Sequence, residues 1–182
     1  MDSISNENNL EIKTSPELIR LLGEKLYSNP LHSILTRELI QNAVDSHYAN
    51  KTGYINVKVI GKDNVLTIDV DDKGCGMNKD VLTNVFLSIG KTAKHESSTN
   101  TGGFGIAKVS LFCADSWEVN TLNQCITGLT QDHDLSIEYM NVKKRKGTQV
   151  VAQINMDDSY CLNHALYDSN LPMYVLANKP IY

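Results

Sequence analysis

The sequence has little proline, four residues in 182 and none between Pro30 and Pro172, so most of the chain carries no obligate helix breaker. It has no apolar run near the ~20 residues a membrane helix needs, and its polar start, Met1 to Asn9, lacks the apolar centre of a signal peptide. A soluble chain is expected. It has no excess of positive charge: 17 Lys and Arg stand against 21 Asp and Glu, a formal net charge of −4, so no global field draws nucleic acid or an anionic membrane. It has no C-x-x-C. Cys75, Cys113, Cys125 and Cys161 are widely spaced, which argues against a zinc knuckle or redox pair and fits reduced thiols in a cytoplasm. Cys161 and His164 could supply half of a metal site, but no matching half is visible and they also read as ordinary helix residues. Internal repeats and linker-like stretches are absent too. What is present, 41% hydrophobic and 21% charged residues, suffices for a core in one domain of ordinary size.

Local patterns divide the chain. Ser15-Pro16 supplies a cap followed by proline at the first helical position, and Leu18, Ile19, Leu21 and Leu22 predict a helix over about 16–26. Asn29-Pro30 breaks it, and the spacing of Ile34, Leu35, Leu39, Ala43 and Val44 predicts a helix from Leu31 to Tyr48. Ile55, Val57 and Val59 alternate along Tyr54 to Ile60, Gly61-Lys62-Asp63-Asn64 turns the chain, and Val65 to Val70 completes a β-hairpin. Asn78 can cap a helix reaching about Leu87, and polar Ser88 to Thr101 has the length of a lid before a glycine-led helix over Gly102 to Cys113. Strands are expected at Trp117 to Leu122, Leu135 to Asn141 and Thr148 to Ile154, then a helix over Asp157 to Tyr167. Early helices with hairpin-linked strands between them predict an α+β layer pair, helices on one face of a largely antiparallel sheet. The other face is left to solvent or a partner.

Three segments carry candidate chemistry. Glu38, Asn42 and Asp45 are spaced four and three apart, within roughly a 60° sector of the helix. This stripe at the edge of the buried face either points into a cleft or is an ordinary solvated face. Asp72-Lys73-Gly74-Cys75-Gly76-Met77 follows an apolar strand. Its glycines permit close backbone approach to a flat ligand and its carboxylate can accept from an exocyclic amine, although a plain turn has the same composition. A calcium loop is excluded, because Lys73 and Cys75 occupy ligand positions. Thr101-Gly102-Gly103-Phe104-Gly105-Ile106 opens a predicted helix, where free N–H groups favour phosphate. Two familiar phosphate motifs fail on spacing. Gly90-Lys91-Thr92 has Val85 where a P-loop needs glycine, and Gly103-x-Gly105 is followed by Lys108 where a dinucleotide fingerprint needs glycine.

In this order and separation, over about Leu31 to Ile154, these segments resemble the GHKL superfamily of ATPases: gyrase B subunits, ninety-kilodalton heat-shock chaperones, histidine kinases and MutL. Arg37 to Asp45 resembles that family's E-x-x-x-N-x-x-D helix, and Asp72 to Met77 its D-x-G-x-G-M loop. Thr101 to Ile106 resembles its lid-end glycine motif, and Gly147-Thr148 its late G-T strand. The resemblance implies a Bergerat-type two-layer α/β sandwich with a mixed, mostly antiparallel sheet. A narrower likeness is to phage rIIA-type proteins, from Ser15-Pro16, Leu26-Tyr27 and Arg37-Glu38-Leu39-Ile40, then Gly103-Phe104-Gly105-Ile106 through Lys108-Val109-Ser110-Leu111-Phe112. Ala107 departs from the glycine of several relatives, which restricts the lid end.

The resemblance implies ATP as ligand, Mg²⁺ as cofactor and hydrolysis as activity, since the hydrolysing branch places a glutamate general base where Glu38 stands. It implies Asn42 as the Mg²⁺ ligand, Asp72 as acceptor of the adenine amine, and Thr148 with a water completing base recognition. Met77 and Phe104 would line the pocket beside Gly74 and Gly76. Gly102, Gly103, Gly105 and Ile106 would offer backbone N–H groups to the phosphates, and Lys91 would add charge from the lid. Asp45 would brace the Asp72 side through water, or remain a solvated helix residue. Lys94 and His95 are read as lid surface, and Lys143-Lys144-Arg145-Lys146 as a hairpin tip, solvated or facing an anionic partner. The expected organisation is a polar leader over 1–14, the ATP-binding domain over 15–156, and over 157–182 a helix with the start of a following domain. Lid closure would drive conformational change, homodimerisation or rearrangement of a protein partner. The alternatives are a nucleotide-sensing module with little turnover and a histidine-kinase-like phosphotransferase, for which no phosphoacceptor helix is visible.

Overall fold

The computed structural model describes residues 30–48, 54–88, 107–131 and 134–168. The leader, the expected helix over 16–26, most of the lid including Lys91, Lys94 and His95, and the glycine motif at Gly102 to Ile106 lie outside the described residues.

Helix α1 covers Leu31–Tyr48, as the periodicity predicts. Its first turn hangs on the Pro30 carbonyl, which accepts from the N–H groups of Ser33 and Ile34. Ile34, Leu35, Leu39, Ile40 and Ala43 form its buried stripe. The hairpin of β1 (Asn56–Lys62) and β2 (Val65–Asp71) turns on Asp63 and Asn64 alone. Both residues have positive φ, 52° and 59°, which suits the right-handed twist of a two-residue hairpin. Gly61 and Lys62, expected in the turn, pair in the strand instead. Along β2, Leu66, Ile68 and Val70 are buried while Thr67, Asp69 and Asp71 face the other way, so burial alternates strictly.

Asn78 caps the next helix as expected, its side-chain oxygen accepting from Val81 N–H at 2.9 Å. Only Lys79–Val81 is α-helical, however (α2), and Leu82–Phe86 is a π-helical turn. That turn ends with the Phe86 ring set edge-on to Phe112, 6.0 Å away, and to Trp117, 6.4 Å away. Two carbonyls at and just after its end are also contacted from afar: the Lys108 ammonium donates to Val85 O and, at 2.6 Å, to Ser88 O. Lys108 belongs to α3 (Ala107–Phe112).

The remaining strands are β3 (Ser116–Thr121), β4 (Gln124–Gln131), β5 (Asp134–Asn141) and β6 (Thr148–Asn155), followed by α4 (Ser159–Asp168). Strand β4 was not among the expected ones. Its centre, Gly128, breaks the apolar alternation because the Trp117 indole lies across it; a Cβ there would sit 2.1 Å from Cε2. The strands form one sheet in the order β1-β2-β6-β3-β4-β5, with every described pairing antiparallel. Because β5 is an edge and β6 lies inside the sheet, the segment holding Lys143 to Lys146 is a crossover past β4 and β3, and not a hairpin tip.

Val57, Val70, Val150, Val119 and Ile126 lie in one cross-strand row of the inner face, and Val59, Ile68, Ala152 and Trp117 in the next. Helix α1 packs on β2 and β6 and touches α3 and α4, while α4 also covers β1 and β2. The outer face is mixed, with Lys58, Gln153, Asn155, Ser136 and Glu138 exposed beside Ile60, Leu129 and Met140. The architecture is therefore the expected α+β sandwich.

Candidate functional site

The loop after β2 is held against the start of β6 by its own aspartate. Asp72 is 5% exposed. Its N–H donates to Thr148 O at 2.8 Å, extending the β2–β6 ladder by one residue. Its Oδ1 accepts two backbone N–H groups, from Gly74 at 2.7 Å and Thr148 at 3.2 Å. Two amide dipoles aimed at one oxygen compensate for burying the carboxylate. Gly147, at φ +73°, makes this possible, because a Cβ there would stand 2.1 Å from the Asp72 carbonyl oxygen and 2.8 Å from Oδ1. The G-T pair thus has a structural reading: glycine admits the aspartate, and the threonine amide holds it.

On its other side the loop touches α1. A Cβ on Gly74 would lie 2.2 Å from Ser46 Oγ, so the loop backbone lies directly on the helix surface. Ser46 Oγ is in turn tied to Ala43 O at 2.8 Å. Ser46 continues the stripe of Glu38 and Asn42 at four-residue spacing, a signal present in the sequence but passed over. Helical geometry puts Glu38 about 12 Å along the axis from this contact. The Glu38 side chain is 24% exposed, with Arg37 Nη2 3.7 Å from Oε1, and Asn42 is exposed. Asp45 is buried at 8% and accepts from Gln41 Nε2 at 3.1 Å, so it is not a solvated helix residue.

Gly76 has φ +69° and backs onto Leu122 and Thr121. Met77, half-buried against the core, donates its N–H to Thr121 Oγ1 at 2.8 Å. Thr121 was not foreseen, and nothing in its local pattern marks it; only strand pairing puts it beside Thr148, with the hydroxyl oxygens 3.1 Å apart.

The basic run is likewise tied down through Arg145. Arg145 Nη2 donates to Asp71 Oδ1 at 2.5 Å and Nη1 to Gln149 Oε1 at 3.1 Å, while Lys73 Nζ reaches both Asp71 oxygens at 3.0 and 3.1 Å. The charge next to Asp72 is thereby neutralised and the crossover is fixed to the strand carrying the loop. Lys143 and Lys144 are exposed. On the β3–β4 hairpin, burial with Glu118 nearby pushes the Cys125 thiol up to about 11.

Among the described residues, no cluster of three or more His, Cys, Asp or Glu could hold a metal ion by itself, and no helix is long and apolar enough to cross a membrane. In comparisons with known proteins, the family model described as "Histidine kinase-, DNA gyrase B-, and HSP90-like ATPase" matches residues 28–158. A search of curated proteins returned no significant match.

Proposed function

The chain belongs to the histidine kinase-, DNA gyrase B- and HSP90-like ATPase family, and from that premise we propose that it binds ATP with Mg²⁺ and hydrolyses it. One observation carries the reading: the loop bearing buried Asp72 lies directly on the helix that bears Glu38 and Asn42, through the Gly74–Ser46 contact. The separation along α1 is comparable to that between the base and the terminal phosphate of an extended nucleotide. In this reading Asp72 accepts from the adenine amine, Thr148 completes base recognition and Met77 lines the pocket. Glu38 orients the attacking water and takes its proton. Phe104 would line the pocket with Met77, Lys91 would add charge, the backbone N–H groups of Gly102, Gly103, Gly105 and Ile106 would be offered to the phosphates, and Asp45 would brace the base end through water.

The donor set suits Mg²⁺ brought by the nucleotide. Asn42 offers an exposed amide oxygen, and the described residues form no acidic cage, in keeping with an ion that takes few protein ligands and keeps phosphate oxygens and waters. When bound, Mg²⁺ would neutralise phosphate charge. Lid closure over the nucleotide would then couple to dimerisation or a partner.

The test is steady-state phosphate release at saturating ATP, with nucleotide affinity measured separately. Glu38→Ala is expected to bind ATP like the parent but release phosphate about 10²-fold more slowly, the scale of a general base. Asp72→Asn is expected to lose all adenine nucleotides, and Asn42→Ala only the Mg²⁺-dependent part of triphosphate binding. Undiminished turnover by Glu38→Ala would overturn the hydrolytic mechanism. Binding without turnover in the parent would make the chain a nucleotide sensor, and no binding would remove the site.

A further inference from the structure

The β3–β4 hairpin closes through two residues, Leu122 and Asn123, because Thr121 pairs with Gln124. Of these two, only Leu122 has a positive φ, 50°. A two-residue hairpin with positive φ at its first central position alone is normally filled by glycine, since a Cβ in the left-handed region crowds the following carbonyl. The β1–β2 turn provides a contrast. Its positive-φ residues are Asp63 and Asn64, whose short polar side chains tolerate that region. Leucine has no such compensation, so the turn by itself does not account for Leu122.

Its side chain does. A Cβ on Gly76 would lie 2.8 Å from Leu122 Cδ2 and 2.9 Å from Cγ, so the isobutyl group rests directly on the loop that follows Asp72. The turn beneath is fixed from the crossover: Leu122 O accepts from Arg145 N–H at 2.7 Å, and Asn123 O from Val142 N–H at 2.9 Å. Beside this contact, Met77 N–H donates to Thr121 Oγ1 at 2.8 Å. The second half of the loop, Gly76 and Met77, is thus seated on the hairpin end by one apolar contact and one hydrogen bond. We propose that Leu122 is a positioning residue: its left-handed backbone aims the side chain at Gly76 and holds the Asp72 loop in its binding form before nucleotide arrives, which removes an ordering cost from the binding step. This rests on the nucleotide-binding reading above and adds to it a residue that acts through the loop.

The test compares Leu122→Asn, which suits positive φ but lacks the apolar group, with Leu122→Met, which keeps an apolar chain. Melting, calorimetric titration with ADP, and amide hydrogen exchange of the nucleotide-free protein are measured on each. Leu122→Asn is expected to melt no more than about 2 °C below the parent, because relief of the backbone offsets the lost contact. It is expected to bind ADP about fivefold more weakly, with exchange at the Met77 amide about fivefold faster and the β3–β4 ladder unchanged. Leu122→Met should stay within about twofold of the parent in both. A purely structural role would lower the melting temperature and leave affinity alone; unchanged ADP affinity, or unchanged exchange at Met77, in Leu122→Asn overturns the proposal. Should that variant not fold, Leu122→Gly is read in the same way, and if neither folds the leucine serves the fold and the proposal fails. A parent that binds no ADP refutes the nucleotide-binding reading, while exchange at Met77 still decides whether Leu122 seats the loop.

Discussion

Replacing Gly147 by alanine puts a methyl group where the chain already has a carbonyl. The added Cβ would stand 2.1 Å from Asp72 O, against an ordinary contact of at least 3.4 Å, so the two strand ends must part by more than an ångström. The obstacle is backbone, which cannot swing aside as a side chain can. At φ +73° the alanine also carries roughly 1–2 kcal/mol of left-handed strain. Parting the strands breaks the Asp72 N–H to Thr148 O bond, a loss of about 1 kcal/mol, and the Thr148 N–H to carboxylate bond, a loss of about 1.5–3 kcal/mol. The total is about 3.5–6 kcal/mol, a large share of the ~5–15 kcal/mol that stabilises a typical domain. At about 2–4 °C per kcal/mol, the melting temperature should fall by roughly 10–20 °C. Gly76→Ala is the internal comparison. Its φ of +69° brings similar strain, but its nearest neighbours are side-chain atoms of Leu122 and Thr121, which can shift. Thermal unfolding followed by circular dichroism measures both, with ADP titration on the folded proteins. If Gly147→Ala melts within about 2 °C of the parent, the close fit of Gly147 around Asp72 is refuted.

Arg145→Met should cost about 1–2 kcal/mol in urea unfolding, because the guanidinium and Asp71 are largely shielded, whereas Lys143→Met and Lys144→Met should stay within about 0.5 kcal/mol. Equal effects at all three positions would contradict the anchored crossover. Asp158 caps α4 by accepting from Cys161 N–H at 2.8 Å, and this bond holds its carboxyl below the ordinary 3.8. A lowered folded-state pKa contributes stability that is complete above the unfolded value and is lost as pH falls through the folded one. Acid unfolding of Asp158→Ala below pH 3.8 should therefore be less steep than that of the parent, with matching curves as the contrary result. Cys125, buried and raised to about 11, should resist iodoacetamide in the native protein at pH 8 while exposed Cys75 reacts, and mass spectrometry of the labelled peptides reads this directly. Rapid labelling of Cys125 would place it at the surface.

Most elements were readable because their side chains repeat with the period of the backbone that carries them: α1 by its apolar stripe and β2 by strict alternation, while the cap Asn78 was readable by residue type. Strand β4 was not, because Gly128 answers to the Trp117 ring on the neighbouring strand and not to its own chain. The π-helical turn was also missed; its Val85 carbonyl and that of Ser88 just after it accept from Lys108, twenty or more residues downstream. The crossover holding Arg145 was misread as a hairpin tip, since loop length does not reveal strand order.

By itself, then, the order of residues determined what is set by neighbours within a turn or a strand: the helix of Glu38, Asn42 and Asp45, the glycine loop of Asp72, and the family these motifs denote. Tertiary structure alone decided which of these touch. The Gly74–Ser46 contact, the enclosure of Asp72 by Gly147, and the meeting of Thr121 with Met77 and Thr148 join segments brought together by sheet order and packing. Close packing and strand pairing act through space, and sequence separation does not encode them.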